Sequence, residues 1–475
     1  MPPVVNSRVL PVCRGRAREV KRDAVAQHGG RARGLVSGGS LTTMSTTNNG
    51  RTVIVSAVRT PFGKLGGGLS SLAAVDLGAL VIQEAIRRAG VEPDQVDNVI
   101  MGQVLQANSG QIPARQAAIK AGLPVTVHGL TVNKVCASGM RAITLADQFA
   151  RLGDGEIFVA GGMESMTNTP NYLPKARQGY RMGNGELVDG MIHDGLWCAF
   201  HDVHMGVHGT TVSREFGITR EEMDAWSARS HKLAHAAWEA GRFDQEVLPV
   251  TIPQGKKDPL VVRRDESIRP ETTLETLAKL KPAFGADSLI TAGNAPGIND
   301  GAGAVVLMSE RKAELLGLEP IAAIVSYGMV AQDPPYLHIV PAMAIQEALS
   351  RASLTVDQLD RIEINEAFAA VTLTSLRILA KERVLVGAHV NGGSSRQGGK
   401  VELAEASDAR VAALAERTNV NGGAVAMGHP IGASGARLLA TLAFELARTG
   451  GRYGAAGICS GSAQGDAVIL ENLRR

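Results

Sequence analysis

Ala137-Ser138-Gly139-Met140-Arg141 returns near the other end of the chain as Ala433-Ser434-Gly435-Ala436-Arg437. Each copy opens a stretch with helical spacing of apolar residues. A glycine-rich strand end follows each, Val159-Ala160-Gly161-Gly162 after the first and Gly457-Ile458-Cys459-Ser460-Gly461 after the second. A five-residue match can arise by chance, but agreement of the elements that follow points to a duplicated half-domain. Outward from these copies, strand-like runs fall at 52–58, 98–105, 156–160, 303–308, 321–327, 361–364, 453–459 and 466–471. Amphipathic helical stretches occupy 72–89, which stops at Gly90, and 342–352 and 434–449. Strands alternating with helices predict a layered α/β fold. Residues 166–288 break the pattern. They are more polar, rich in His, Asp and Arg, and read as an inserted loop domain.

The chain has 475 residues, enough for two or three domains. Its 44% hydrophobic and 20% charged residues are those of a globular protein. No uninterrupted apolar run reaches the ~20 residues a membrane span needs, so no membrane partner is expected. The net charge of +3 belongs to residues 1–50, where eight Lys/Arg face only Glu19 and Asp23. The remaining chain is net acidic and offers no footprint for nucleic acid. That basic tail lacks the apolar core of a secretory signal. It reads as a disordered extension, an Arg-rich transit peptide or, the reading favoured here, translated upstream sequence ahead of Met44. Cys13, Cys136, Cys198 and Cys459 are too sparse for a disulfide scaffold and suit a reducing compartment, hence a cytoplasmic location.

Four segments concentrate chemistry. Cys136 sits just before an expected helix, where free backbone N–H groups favour a thiolate, and Ala137, Ser138 and Gly139 leave space around its sulfur. A thiolate can take an acyl group from a thioester. Cys459 ends an apolar strand beside flexible Ser460-Gly461-Ser462, a place for a thiol acid or base. For either cysteine taken alone, plain packing is the competing reading. His429 lies in Asn421-Gly422-Gly423-Ala424-Val425-Ala426-Met427-Gly428-His429-Pro430-Ile431-Gly432, with glycines on both sides that let backbone approach a ligand, and imidazole can activate a thiol or donate to an oxyanion. Asn365 ends strand 361–364 and opens a helix from Glu366, as a helix cap or as the holder of a water. His193, His201, His204 and His208 invite a metal reading, with His201, His204 and His208 on one helical face. No Cys or carboxylate pattern completes that set, so no metal is expected. The glycine runs at 65–68 and 421–423 lack the strand–GxGxxG–helix setting of a dinucleotide site.

Taken in order, these segments closely resemble the thiolases, in their acetyl-CoA acetyltransferase branch. The likeness runs from about Arg51 to Leu473. It also covers Ser56-Ala57-Val58-Arg59-Thr60-Pro61-Phe62-Gly63, Pro113-Ala114-Arg115-Gln116-Ala117-Ala118, Gly161-Gly162-Met163-Glu164-Ser165-Met166 and Gly293-Asn294-Ala295-Pro296-Gly297-Ile298-Asn299-Asp300-Gly301. The resemblance implies a five-layer αβαβα fold of two similar halves, residues 51–165 with 289–311 and residues 312–475. A loop domain at 166–288 would carry coenzyme A contacts and support assembly as a homotetramer, a dimer of dimers. It further implies that Cys136 is the acylated nucleophile and His429 the base that activates it. Cys459 would be the thiol that removes the α-proton of a second acetyl-CoA. Asn365 would hold an oxyanion-hole water with His429, and the backbone N–H groups of Cys136 and Gly461 would form a second oxyanion hole. His204 and Met205 match the tunnel for the pantetheine arm, Phe284 and Phe368 the pocket wall, and Arg269 a nucleotide contact. The implied reaction is reversible condensation of two acetyl-CoA to acetoacetyl-CoA and coenzyme A, without any permanently bound cofactor.

Three departures from the family pattern stand out. Pro296 replaces a frequent Ser near the pantetheine. Leu337-His338-Ile339-Val340 replaces a smaller, glycine-containing stretch near the pocket. The interval from Asn365 to His429 is longer by about 30 residues within 383–418, read as a surface insertion that is Gly/Ser-rich at 392–399 and helical at 402–416. The competing functions are a broader-chain 3-ketoacyl-CoA thiolase of fatty-acid degradation and a catalytically silent acyl-CoA-binding protein.

Overall fold

The computed structural model describes residues 50–381 and 407–474. The readings of the N-terminal tail, and of the 383–418 insertion up to residue 406, lie outside the described residues. In chain order the principal strands are β1 (Thr52–Arg59), β2 (Asn98–Gly102), β3 (His128–Val132), β4 (Ile157–Ser165), β5 (Asn299–Ser309), β6 (Ala322–Ala331), β7 (Leu359–Ile364), β8 (Tyr453–Ser460) and β9 (Gln464–Asn472). The principal helices are α1 (Ala74–Ala89), α2 (Pro113–Lys120), α3 (Ser138–Leu152), α4 (Met205–Glu215), α5 (Arg220–Glu239), α6 (Val340–Ala352), α7 (Ala369–Leu379), α8 (Asp408–Glu416) and α9 (Ser434–Thr449). No helix among the described residues is long and apolar enough to cross a membrane.

The strands hydrogen-bond in the order β7-β8-β9-β6-β1-β5-β4-β2-β3, with the two-residue strand Gly63–Lys64 added against β5. The order reads alike from the centre outward. β1 and β6 pair antiparallel at Thr52–Ile54, and each then meets an antiparallel neighbour, β5 or β9. Beyond lie β4 and β8, then the parallel β2 and β7. β3 continues one end in parallel. At the other end, a parallel bridge from Ile362 to Thr418 takes the equivalent place.

The apolar residues sort into layers because alternate side chains of a strand face opposite sides. Val53, Val55, Val58, Val159 and Val306 pack against Leu77, Val81 and Ile82 of α1 and Ala117 of α2. The opposite faces, with Ile54, Ile100, Val305, Ile458, Val468 and Leu470, enclose α3 and α9 through Met140, Ile143, Leu438, Leu439 and Leu442. Ile362, Ile364, Ala455 and Ile469 cover α6 and α7. Helix, sheet, helix, sheet, helix is the expected αβαβα sandwich, with the duplicated Ala-Ser-Gly helices in its central layer.

β4 and β5 extend beyond their expected runs, and β3 was not expected at all. The expected helix at Glu366 instead begins at Ala369. The backbone N–H of Asn365 continues the ladder to Gly457 O (2.9 Å), and the Glu366 carboxylate is held by Trp226 and Ser230 of α5. Within the 383–418 interval, the helix expected at 402–416 is present over Asp408–Glu416 as α8, capped by Ser407, whose side chain accepts from Arg410 N. Arg417 donates to Leu359 O (2.9 Å), and Asn419 exchanges two hydrogen bonds with the backbone of Ile364. The chain is thus tied to the β7 edge before Gly422, and the approach to His429 is fixed.

Candidate active site

Cys136 is placed by a tight turn between β3 and α3. Val135 holds φ 43, a left-handed conformation that a β-branched residue seldom adopts. Ala137 N and Ser138 N donate back to Lys134 O (3.1 Å) and Val135 O (3.0 Å), which closes the turn. The opposite half grips the same turn. Ser460 Oγ donates to Lys134 O (2.6 Å), and the Lys134 ammonium pairs with Asp466. The backbone N–H groups of Cys136 and Gly461 both favour a thiolate at Cys136, but burial dominates and pushes the thiol up to about 12. The expected lowering by the helix start is therefore outweighed by burial.

Cys459 is 1% exposed near the end of β8. Burial first, then the nearby Cys136 sulfur, push its thiol well above the usual range. His429 follows Gly428, whose φ of 110 and contact with Asn299 leave no room for a side chain. Asn299 Oδ1 accepts from His429 N (2.9 Å). Ser434 Oγ lies 2.6 Å from His429 Nδ1 and donates to Pro430 O (2.9 Å). With its proton committed to Pro430, Ser434 offers Nδ1 only a lone pair. The imidazole proton therefore sits on Nδ1 and leaves Nε2 as the basic nitrogen. Asn365 Nδ2 lies 3.4 Å from that Nε2. Burial holds the His429 pKa down to about 3, with Arg437 adding to the effect, so the ring is neutral at physiological pH.

A cavity of about 180 Å³ joins these groups. Cys136, His429, Cys459 and Gly461 line it, as do His204, Met205, Phe284, Pro296 and Phe368. His204 stacks on Phe284 with ring centroids 4.3 Å apart, and its Nδ1 accepts from Gly206 N (3.1 Å) at the start of α4. Asn365 reaches the site through His429. Arg269 is exposed and does not line the cavity; its backbone N–H donates to His231 Nδ1 (3.2 Å).

Several contributors escaped sequence reasoning. Ser434 orients the imidazole. Of the 337–340 stretch that the sequence did place near the pocket, Leu337 lines the cavity, while His338 lies behind Phe368 with its ring roughly parallel. The Glu366 carboxylate accepts from Trp226 Nε1, Ser230 Oγ, Asn419 Nδ2 and Val425 N, so it fastens α5 to the His429 loop. Glu164 accepts from Val104 N, Leu105 N and Gly432 N, and burial raises its carboxyl to about 7. The family motifs contained Ser434, Glu366 and Glu164, but their partners are distant in sequence.

Two buried thiols, a neutral imidazole with an unprotonated Nε2 and converging backbone N–H groups on an apolar cavity suit acyl transfer through a thioester. The chain belongs to the thiolase family. Residues 52–311 match the thiolase N-terminal domain and residues 318–472 the thiolase C-terminal domain. An acetyl-CoA acetyltransferase of Cupriavidus necator is 48% identical over 88% of this chain and 98% of its own length. Another, from Pseudomonas aeruginosa, is 48% identical with the same two coverages. The crystal structure of the Bacillus anthracis acetyl-CoA acetyltransferase superposes with a TM-score of 0.80 at 40% identity, over 89% of this chain and 99% of that one.

Proposed function

We propose that this chain is an acetyl-CoA C-acetyltransferase that interconverts two acetyl-CoA with acetoacetyl-CoA and coenzyme A. The observation that carries the reading is the meeting of Cys136, Cys459 and His429 on one small apolar cavity. In the first half-reaction His429 Nε2 takes the Cys136 proton as the sulfur attacks the thioester carbonyl. Both groups are neutral beforehand, so transfer accompanies attack. Coenzyme A leaves with the proton of Cys459, His429 keeps that of Cys136, and Cys136 carries the acetyl group. In the second, Cys459, left as a thiolate, removes an α-proton from a second acetyl-CoA. The carbanion attacks the acetyl carbonyl, the bond to Cys136 Sγ breaks, His429 returns the proton to that sulfur, and acetoacetyl-CoA is released. The Cys136 and Gly461 N–H groups stabilise one developing oxyanion, and His429 with Asn365 the other.

Residues 166–288 serve in this reading as the loop domain for coenzyme A, with His204, Met205, Phe284 and Pro296 along the pantetheine arm and Arg269 at the nucleotide. No cofactor stays bound. In this reading the chain assembles as a homotetramer and works in the cytoplasm, a reducing compartment that the three buried free thiols among the described residues suit. The test is thiolysis by purified protein, comparing acetoacetyl-CoA with medium- and long-chain 3-ketoacyl-CoAs. A rate confined to acetoacetyl-CoA is expected from the walls set by Leu337 and Phe368. Comparable rates on long chains would instead assign a degradative 3-ketoacyl-CoA thiolase. Binding of coenzyme A without turnover would leave a silent binding protein.

A further inference from the structure

A second cluster of nucleophilic side chains lies outside the catalytic cavity. Trp197 and Cys198 pair antiparallel with His204 and Val203, so the intervening residues form a tight hairpin. Asp202 N donates to Cys198 O (2.9 Å), and Trp197 Nε1 donates to Asp202 Oδ1 (2.9 Å). This turn brings His201 back over Cys198, with Nδ1 3.7 Å from Sγ. His208, in the first turns of α4, completes the group, its ring centroid 5.1 Å from that of His201. One donor atom from each of Cys198, His201 and His208 lies within 4.8 Å of the other two. His193 and His204, part of the histidine set visible in the sequence, stay outside it.

The three donors, within 4.8 Å of one another, can close into a coordination sphere with small side-chain movements. Zinc bonds of roughly 2.3 Å to sulfur and 2.0–2.1 Å to nitrogen at tetrahedral angles place S and N about 3.6 Å apart. The observed 3.7 Å matches that edge. His208 is 6% exposed, and its Nε2 is buried without a hydrogen-bond partner. Such a group costs stability unless something occupies its lone pair. Cys198 is also buried, whereas His201 faces solvent and gives an ion a way in. One thiolate with two imidazoles selects zinc-class ions over calcium or magnesium.

We infer that Cys198, His201 and His208 form a binding site for a zinc-class divalent cation. The thiol gives up its proton to solvent on binding, three positions come from the protein, and water completes the tetrahedron. The ion would clasp the hairpin to α4, immediately beside His204 and Met205. Its role is structural, because the cluster does not line the catalytic cavity.

The test loads the full-length protein with Zn2+ alone, removes loosely held ion by gel filtration, and counts zinc per chain. Cys198→Ser is compared with the parent, and His201→Asn, at an exposed position, serves where Cys198→Ser folds poorly. The parent should retain one more ion per chain than either variant, with affinity at least about 100-fold higher, since even outer-shell changes cost 10–100-fold. Co2+ in place of Zn2+ should show a thiolate charge-transfer band that vanishes in Cys198→Ser and persists in Cys136→Ser. Equal zinc in parent and variants, or a cobalt band that follows Cys136, would overturn the site.

Discussion

His338 has both ring nitrogens buried without a protein partner, in a chain where most buried polar groups are paired. Burial, with the nearby His208 adding to it, holds its pKa down to about 3. The unfolded chain takes up a proton at an ordinary His value of about 6.5 while the folded one does not. Stability from this residue is therefore constant above that value and is lost as pH falls from it toward 3. Replacing His338 with Leu should stabilise the protein at pH 7, because two unpaired polar atoms leave the core. At pH 5 the advantage should grow by about 2 kcal/mol, the cost of keeping one His neutral there. Denaturant midpoints of both proteins at the two pH values check this, and an equal shift at both would refute the pH argument. Ser434 offers a different residue-scale test. It positions His429 without lining the cavity, so Ser434→Ala should lower kcat by about 10–100-fold, part of what a general base supplies, with little change in KM. Cys136→Ser should lower it by at least about 10³-fold, since no alternative nucleophile replaces the thiol. Steady-state kinetics on acetoacetyl-CoA separate the two effects, and a Ser434 variant altered in KM alone would count against its role as orienter.

At the scale of elements, the central helices decide the geometry. A Cβ on Gly435 would meet Met140 N at 2.2 Å, and one on Gly139 would meet Gly432 O at 2.7 Å. These glycines let α3 and α9 touch backbone to backbone at the ends that carry Cys136 and follow His429. Gly435→Ala must therefore push the helices apart, at a cost of about 3 kcal/mol or more. The thermal midpoint should fall, with activity lost below it; an active protein of unchanged midpoint would show that the contact gives easily. The same glycines explain what the sequence could and could not reveal. The repeated Ala-Ser-Gly pentapeptide disclosed the duplication, and all eight expected strands exist. The strand-like run for β4 stopped at Ala160, with Gly161 and Gly162 read as its end, whereas the strand continues to Ser165. Both positions need glycine because Gly303 O and Gly432 O crowd the places where side chains would lie. β3 was missed because His128–Val132 is a partly exposed edge strand without a buried alternation. The segments that carry Cys136, His429 and Cys459 could be picked out because each is contiguous, and the fold brings the three side chains to one cavity. The approach of Cys198 to His201 and His208 was not, since it depends on how a short hairpin meets α4.

Across the whole molecule, the cavity belongs to no single part of the chain. Cys136 comes from one half of the sandwich, His429 and Cys459 from the other, and His204, Met205 and Phe284 from the segment between β4 and β5. That segment is fastened to the first strand through Arg59, which is 0% exposed. Its guanidinium donates to Glu246 (2.6 Å) and, through both terminal nitrogens, to Asp265 (2.7 and 3.1 Å), and it lies between Phe62 and Phe243. Asp265 also accepts from Phe62 N and Trp238 Nε1, so one cation organises strand, loop and helix. Arg59→Leu would leave two carboxylates buried without their counter-ion, which costs about 3–5 kcal/mol. The pH dependence gives this loss a signature. Burial already raises the Glu246 carboxyl, against the pull of Arg59, and without the guanidinium it must rise further. A carboxyl raised in the folded state binds more protons there than in the unfolded chain, so lowering the pH favours folding. The deficit of Arg59→Leu relative to the parent should shrink from pH 8 to pH 6, as read by denaturant midpoints. A deficit of the same size at both values would mean that Arg59 acts through its packing between the two rings and not through its charge.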